Sequence, residues 1–576
     1  MDKFAIAAAL QEIAALLELR GGEYFKARAY KVGARAVAEL GEDIGALIKQ
    51  NRLTFVKGIG QTLAKQIIEL HTTGQSSFLN KLRTELPAGI VELSRVPGLS
   101  VKKVELLQKA LGISSIEELR AACEAGRVRN VKGFGAKMEQ KILDAIAKGA
   151  QKKPKIHIHH ALQAGERIIE YLRSSSSLIS AEVAGDVRRA KETVSIIVVV
   201  ASAKQPEKLI DHFLQFPLIA TIEERGKQRC TVITSESYRV SLWAVKPAEY
   251  AASLLTATGA DAHLQKLEQI ARSENLKLRA HGVEKPVKGS RPGKVIRTNS
   301  EREIYARLGL QYVPPELRED EGEIEAASAG KLPEDLITTD DIQGMVHCHT
   351  MYSDGKHSIE QMAYAAQEMG MKYLTITDHS PTAFYAGGVK IEQLQRQWEE
   401  IDRVQEQAKI KILKGTESDI LADGTLDYPD WILEQFDVIV ASIHSRYQMN
   451  EELMTQRIVK AMRQPVFKIW GHALGRLIER RAPFDCRVEE VLDAIAESKA
   501  AVEINGDPYR LDMEPRWLRE ARKRKIKFVI SVDAHSMAAL NNVKFGIGIA
   551  RRAWVRRGEV LNTLTAKKFQ KAVRPL

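Results

Sequence analysis

The segment 347–355 of the chain holds two histidines one residue apart, His347 and His349, followed by Asp354. Imidazole nitrogens and carboxylate oxygens are ligands of divalent metal ions, but an isolated pair of histidines is more often structural. The segment therefore indicates a metal site only if further ligands recur downstream in the same structural setting.

Short apolar runs rich in β-branched residues recur through the last 230 or so residues. They are 345–346, 373–377, 410–413, 438–441, 467–470, 501–504 and 528–532. Stretches with helical period, such as 359–369 and 488–497, separate them, and this alternation predicts a parallel sheet. Seven such units predict a closed or nearly closed barrel, in which polar groups at the carboxyl ends of the strands converge on one face.

Six of the seven runs lead into a possible metal ligand. These residues are His347, His349, His379, Glu417, His444, His472, Asp533 and His535. The alternative, buried histidines and helix caps without a metal, requires the same position to recur at six strand ends by coincidence. Imidazole and carboxylate without a thiolate pattern suit Mn, Zn or Fe, and no G-x-S-x-G or Cys–His pair offers a protein nucleophile.

The ordered motifs H-x-H, T-D-H-S, G-x-E, S-I-H-S, G-H-x-x-G-R-L and D-A-H-S resemble those of the PHP (polymerase and histidinol phosphatase) superfamily. The resemblance implies a distorted (β/α)7 barrel that holds up to three divalent metal ions and hydrolyses phosphoesters. We expect Mn, with Zn or Fe as alternatives. Arg446, Arg476 and Arg510 follow strand ends and are candidates for contacting a phosphate.

The resemblance also implies a role for each ligand. One metal would be held by His347, His349, Glu417 and Asp533, a second by Glu417, His444 and His472, and a third by Asp354, His379 and His535. The residues expected to act in catalysis are His347, His349, Glu417, His444 and Asp533.

Composition sets limits on the whole chain. It has 576 residues, enough for several domains, and a net charge of +12, which is consistent with a polyanionic partner. Its four cysteines form no C-x-x-C pair, which favours a reducing compartment. Because no apolar run reaches about 18 residues, we expect a cytoplasmic protein with no membrane span.

A short glycine pattern occurs three times in the first 150 residues, at 56–60, 96–100 and 131–135. Each copy precedes a lysine-bearing helix, as in a helix-hairpin-helix, whose backbone N–H groups approach a DNA phosphate. The alternative is a plain helical bundle with glycine caps. The predicted DNA-binding residues are Gly58, Gly60, Gly98, Gly133, Gly135 and Lys137. Ser100 replaces the second glycine of the middle copy and should weaken it.

The segments 185–200, 305–310 and 314–319, together with the hairpins, resemble bacterial family X DNA polymerases that carry a C-terminal PHP domain. The implied fold is multidomain, α+β and α/β, with a pol-beta-like nucleotidyltransferase palm and thumb. The expected domains are 1–150 (helix-hairpin-helix), 151–250 (palm), 251–320 (thumb), 321–342 (linker) and 343–576 (PHP barrel). The segment 283–300 is predicted to be a loop.

The chain departs from this family where the polymerase binds its metals. Ile196, Val198 and Ser241 stand where the family has three aspartates. Nucleotidyl transfer needs two metals held by carboxylates, so we expect no templated synthesis. The apolar run 194–200 should still form one continuous core strand, leaving the palm as a DNA-binding scaffold.

The sequence therefore predicts a nucleoid-associated, metal-dependent phosphoesterase acting on DNA. The resemblance implies 3′–5′ exonuclease activity, with 3′-phosphatase or abasic-site cleavage as further activities. Expected substrates are gapped, recessed or damaged duplexes and single strands, and the sequence points to no protein partner. Three alternatives stay open: a gap-filling polymerase with a 3′–5′ exonuclease, a non-catalytic DNA-binding scaffold, and a phosphatase for small phosphoesters.

Overall fold

The computed structural model describes most of the chain as two compact units. It describes all residues except 2, 21–22, 39, 41–43, 86–92, 94–95, 97–98, 100, 152–154, 286–293 and 576. The first unit comprises 1–156, 160–183 and 194–250, and the second comprises 157–159, 184–193 and 251–576. Among the helices of the described ranges, none has both the length and the apolarity that a bilayer span requires.

The first part of the first unit is helical, as the sequence predicts. Its helices are Lys3–Arg20, Tyr24–Ala38, Ile44–Lys49, Gln61–Thr73, Ser77–Glu85, Val101–Leu111, Ile116–Glu124 and Ala136–Gln151, with 3-10 turns at Leu53–Phe55 and Val128–Asn130. Apolar residues at helical spacing, such as Leu10, Ile13 and Ile67, are fully buried in one core. This bundle presents the glycine turns at the starts of two of its helices.

The region expected to form the palm contains a mixed five-stranded sheet. Its strands are β2 (Leu178–Ala184), β4 (Ile197–Ala203), β5 (Ile219–Arg225), β6 (Arg229–Thr234) and β7 (Arg239–Val245). Two short strands, β1 (Ile156–His157) and β3 (Thr193–Val194), pair with each other in a separate sheet. The sheet order is β2-β4-β7-β6-β5, and β4 pairs with β7 in parallel. The expected continuous strand over 194–200 is wrong, since the chain leaves the extended pairing at Ser195 and Ile196 between β3 and β4.

The second unit begins with a small α+β region that has its own core, which includes Leu255, Leu267 and Tyr305. Its short antiparallel sheet comprises β8 (Lys277–Arg279), β9 (Gly282–Lys285) and β10 (Lys294–Ile296). The prediction of a loop over 283–300 is therefore wrong at 283–285 and at 294–296, where β9 and β10 pair with each other, whereas 297–300 is irregular as predicted. The helix Glu323–Ser328 lies in the expected linker and packs into the same core.

The remainder of the second unit is a seven-stranded parallel barrel. Its strands are β11 (Gly344–Cys348), β12 (Tyr373–Ile376), β13 (Lys411–Asp419), β14 (Val438–Ser442), β15 (Lys468–Trp470), β16 (Ala500–Asn505) and β17 (Phe528–Ser531). They lie side by side in chain order. The helices of this unit are Gly185–Arg188, Tyr250–Thr258, Asp261–Ser273, Glu301–Arg307, Glu323–Ser328, Ile359–Glu368, Ile391–Gln405, Asp430–Leu433, Glu451–Met462, Val488–Ala496, Pro515–Lys523, Val543–Arg552 and Ala566–Val573.

The barrel is brought close to closure by residues next to the predicted ligands. Ala534, just beyond β17, donates its backbone N–H to the carbonyl of His347, and His349 donates its N–H to the carbonyl of Ala534. The lengths are 3.0 and 2.9 Å. The predicted fold class, with its nearly closed barrel of seven parallel strands, is confirmed.

Candidate metal centre

The nine predicted ligands come together at the carboxyl ends of the barrel strands. His347 lies in β11 and Glu417 in β13, whereas the other seven follow strand ends or lie in the loop after β11. Most of them are buried, but Asp354 and His535 keep side-chain exposures of 37% and 33%. The cluster thus reaches solvent on the side of these two residues.

Glu417 is the centre of the cluster. Its Oε1 lies 2.8 Å from Nε2 of His472, 3.2 Å from Nε2 of His347 and 3.3 Å from Nε2 of His444. Its Oε2 lies 2.9 Å from Nδ1 of His379 and 3.5 Å from Nε2 of His349. A carboxylate whose two oxygens face separate sets of imidazoles has the geometry of a bridging ligand.

Three groups of side chains in the described residues place ligand atoms within 4.8 Å of one another. They are His347, His349, Glu417 and Asp533; His379, Glu417 and His444; and His349, Asp354, His379 and His535. In the second group His379 stands where the resemblance implied His472. His472 nevertheless lines the same cluster, because its Nε2 is 3.2 Å from Nε2 of His444.

Polar atoms buried in the cluster approach one another but make no hydrogen bond. They include Nε2 of His347, both ring nitrogens of His349, Nδ1 of His379, Oε2 of Glu417 and Oδ1 of Asp533. A buried polar atom without a partner costs about 1–3 kcal/mol, so such a concentration needs a compensating ligand. Nitrogen and oxygen donors without thiolates fit Mn, Zn or Fe ions, so the residues present suit divalent cations.

Two carboxylates that the sequence analysis missed fix ligand histidines from behind. His347 donates from Nδ1 to Oε1 of Glu503 at 2.5 Å, and His444 donates from Nδ1 to Oδ1 of Asp419 at 2.5 Å. Such bonds fix the ring orientation and leave Nε2 free for a metal. A signal existed for both: Glu503 is the acidic residue of an apolar run, and Asp419 shares a strand face with Glu417.

The electrostatics of the cluster keep its central carboxylates ionised. Burial raises the pKa of Glu417, but His444 and His347 outweigh that effect and hold the pKa well below its usual range. Asp533 shows the same balance between burial and His347, and its pKa is also well below the usual range. Burial lowers the pKa of His444, whereas Glu417 and Asp419 raise it to about 10. Ionised carboxylates are the form that binds metal.

Three of the predicted ligands adopt backbone conformations that residues other than glycine rarely take. The φ angles of His347, His472 and Asp533 are 62°, 26° and 50°. Each such residue costs about 1–3 kcal/mol, and strain of this kind concentrates at functional sites. Gly471 adds a further constraint, because a Cβ there would collide with Oγ of Ser442.

The three candidate arginines have different surroundings. Arg510 lies at the cluster, with Nε 3.3 Å from Oδ2 of Asp533, and its buried Nη1 makes no hydrogen bond. Arg476 is instead engaged by Glu192 at 2.8 Å and does not fit a phosphate contact. Arg446 is exposed. Arg510 therefore combines proximity to the cluster with an available donor.

The helical part of the first unit, within residues 1–151, is here called the helical unit, and its first and third hairpins share one geometry. Gly58 and Gly133 both have a φ of 92°, and Gly60 and Gly135 directly precede the next helix. A Cβ added to Gly60, Gly133 or Gly135 would meet no atom within 4 Å, so these backbones are open to a ligand. Lys137 is exposed beside the third turn. Gly98, with Ser100, lies outside the described residues.

The palm positions that lack aspartates are adjacent in the structure. Val198 pairs with Ser241 across β4 and β7, and Ile196 precedes β4. Ser241 is buried, and its Oγ accepts from Nε1 of Trp243 at 3.2 Å and from Nε of Arg229 at 3.3 Å. In the described part of the chain, the side-chain groups suited to an ion all belong to the barrel.

Family models match four parts of the chain. They are a helix-hairpin-helix domain at 1–76, a SAM-like helix-hairpin-helix tandem at 90–148, the DNA polymerase beta thumb at 253–319 and the PHP domain at 346–507. The matches cover the hairpins, the region after the palm and most of the barrel strands.

Known proteins resemble the chain in whole or in part. The DNA polymerase/3′-5′ exonuclease PolX of Bacillus subtilis (strain 168) is 35% identical over 573 residues, 99% of both chains. A probable phosphatase of Thermoanaerobacter sp. (strain X514) is 28% identical over 238 residues, 38% of this chain and 90% of its own. Among solved structures, a ternary complex of Leishmania infantum polymerase beta covers 40% of this chain and 98% of its own, with 17% identity and a TM-score of 0.29.

Proposed function

The chain belongs to the family of the DNA polymerase/3′-5′ exonuclease PolX, and on that premise we propose that its barrel hydrolyses phosphodiester bonds at the 3′ ends of DNA. The observation that carries the proposal is the Glu417 cluster, in which five histidines face one buried carboxylate. Removal of a 3′-phosphate and cleavage at an abasic site are the same chemistry and form part of the proposal.

The residues of the cluster have separable tasks in this reaction. Divalent cations, up to three and expected to be Mn, would activate water and neutralise charge on the phosphate. The nine predicted ligands, with Glu417 at their centre, would hold them, while Glu503 and Asp419 keep His347 and His444 in the ligating orientation. Arg510 offers the donor of its free Nη1 to a phosphate oxygen.

The proposed partner is DNA, and the proposed location is the nucleoid. The open backbones at Gly60 and Gly135 suit contact with phosphates in a duplex, which needs no particular base sequence. The net charge of +12 favours a polyanion of this kind. We propose gapped, recessed or damaged duplexes and single strands as substrates.

The palm, by the same proposal, binds DNA without extending it. Val198 and Ser241 lie side by side, where metal-binding carboxylates are required, and neither can supply a charged oxygen. Supplying a gapped duplex, Mn or Mg and a labelled nucleotide should give no incorporation. Extension of the primer would restore the first alternative, a competent gap-filling polymerase.

The test of the nuclease is digestion of a 5′-labelled single strand with Mn by the wild type and by His444→Ala. The substitution removes a ligand beside Glu417, so the rate should fall by about a hundredfold or more. His281→Ala, at an exposed histidine paired with Glu284, is the matched control and should digest at the wild-type rate. Equal rates for His444→Ala and wild type would favour the non-catalytic scaffold.

One further comparison separates DNA from small phosphoesters as the substrate. The probable phosphatase of Thermoanaerobacter sp. (strain X514) matches 38% of this chain. The competition sets a recessed duplex against a histidinol-phosphate-like ester. The DNA should inhibit hydrolysis of the ester at a far lower concentration than the ester needs to inhibit digestion of the DNA. The reverse order of affinity would favour the third alternative.

A further inference from the structure

Two adjacent aromatic side chains stand exposed at the mouth of the metal centre. Phe384 is 85% exposed and Tyr385 is 60% exposed. Their ring centroids are 6.1 Å apart, with an angle of 78° between the planes. Scattered exposed apolar residues are ordinary on protein surfaces, but two neighbouring rings beside a catalytic cluster form a specific feature.

The aromatic pair is close to two of the predicted ligands. The ring of Tyr385 lies 6.3 Å from the ring of His379 and 6.3 Å from the ring of His444. In a nucleotide only the sugar separates the base from the phosphate, so the two groups lie close together. A phosphate held at the cluster therefore brings its base into the neighbourhood of this pair.

The loop that carries the pair is held in place by the backbone. Val389 donates its N–H to the carbonyl of His379 at 2.7 Å, and Gly388 donates to that of Ala383 at 3.1 Å. Tyr428 donates its hydroxyl to the carbonyl of Val389. A Cβ on Gly388 would collide with the carbonyl of Ser380, so the loop is closely packed at its base. Rings presented by a fixed loop lose little entropy when they bind.

We propose that Phe384 and Tyr385 stack on the bases at the 3′ end of a single strand and so hold the terminal phosphodiester at the metal centre. The inference rests on the proposed nuclease function and narrows its substrate to an unpaired 3′ end. Stacking is tolerant of sequence, because every base has a π face. In a duplex only the outer face of the terminal base pair is open, so the end must fray before two rings can stack on its bases.

The test measures KM for a single strand with Mn in Phe384→Ala, Tyr385→Ala and the double variant. Loss of each ring should raise KM about tenfold. Phe384→Trp keeps an aromatic ring at this position and should have the wild-type KM. Trp431→Ala, at another ring of the barrel that is 59% exposed, is the control and should leave KM unchanged. A KM within about twofold of wild type for the double variant would overturn the proposal.

A binding measurement keeps this inference distinct from the nuclease itself. A single strand with 2-aminopurine at its 3′ end and a phosphorothioate in its last linkage should lose fluorescence on binding to wild type, through stacking, and less so to the double variant. If wild type fails to digest any strand, the proposed function fails whatever the fluorescence shows. If wild type digests DNA but wild type and the double variant quench the 2-aminopurine fluorescence equally, the stacking proposal is wrong and the proposed nuclease function stands. The aromatic pair would then be a candidate surface for binding another protein.

Discussion

At the scale of single residues, two buried carboxylates outside the nine predicted ligands, Glu503 and Asp419, hold ligand histidines from behind. Glu503 is buried and accepts from His347, and it also accepts from the backbone N–H of His472 and from the hydroxyl of Ser531. One side chain therefore positions two ligands. Burial raises the pKa of Glu503, but His347 and the other partners together lower it by a larger amount, so the pKa lies below its usual range.

Substitution Glu503→Gln should weaken metal binding rather than unfold the barrel. The amide keeps the shape but removes the charge that orients His347, and outer partners of this kind contribute about 10–100-fold in affinity. Equilibrium dialysis with Mn measures the effect. Glu497→Gln, where the carboxylate is exposed beside Arg463, should bind Mn as wild type does. Equal Mn affinity for Glu503→Gln would contradict a positioning role.

The predicted metal ligands could be recognised in the sequence, whereas the carboxylates that support them left only a weak signal there. His347, Glu417 and Asp533 could be predicted because each follows or ends an apolar run, and strand ends of a parallel barrel converge. Glu503 could not be assigned, since a carboxylate inside a strand gains its meaning from the histidine across the barrel. Arg476 illustrates the opposite error: its position after β15 suggested a phosphate, but Glu192 occupies its guanidinium.

At the scale of elements, the β-branched runs predicted the barrel strands because they are buried on both faces. Predictions were poorer where pairing, rather than composition, decides the structure. The apolar run 194–200 is broken because Thr193–Val194 pairs in a separate two-stranded sheet. The segment Gly282–Lys285 forms a strand because Lys294–Ile296 pairs with it.

The hairpins offer a prediction in which folding and DNA binding separate. Gly60→Ala with Gly135→Ala adds methyl groups in open space, so it should lower duplex affinity at little cost in stability. Gly58→Ala places Cβ at a φ of 92° and 2.8 Å from Cγ1 of Val32, so it should destabilise the unit by about 1–3 kcal/mol. Fluorescence anisotropy and thermal unfolding measure the two effects. Unchanged DNA affinity in Gly60→Ala/Gly135→Ala would remove these turns from the interface.

At the scale of the whole molecule, the candidate sites for hydrolysis and for duplex binding lie in different parts of one chain. The candidate ion sites are in the barrel, whereas the open glycine turns are in the helical unit. The sequence predicted this division because each part has its own repeated pattern. The exposed aromatic pair at 384–385 could not be predicted from the sequence, because the exposure of these side chains depends on how their loop folds.

The division predicts how ionic strength should act on an inactive variant. Glu417→Gln changes the central carboxylate of the cluster but no group of the helical unit. A plot of its log duplex affinity against log salt should therefore have the same slope as that of the wild type. Each phosphate contact contributes a slope of about 0.9 in a plot of log K against log salt. Gly60→Ala/Gly135→Ala should show a shallower slope. A changed slope in Glu417→Gln would place the main DNA contacts at the barrel instead.

The most direct measurement of the central claim follows one 5′-labelled primer, annealed in a gapped duplex, with Mn and all four nucleotides present. If the barrel is the catalytic centre and the palm binds DNA without extending it, the primer shortens with wild type and stays intact with Glu417→Gln. A primer that lengthens with wild type, or that shortens equally with Glu417→Gln, would contradict the account.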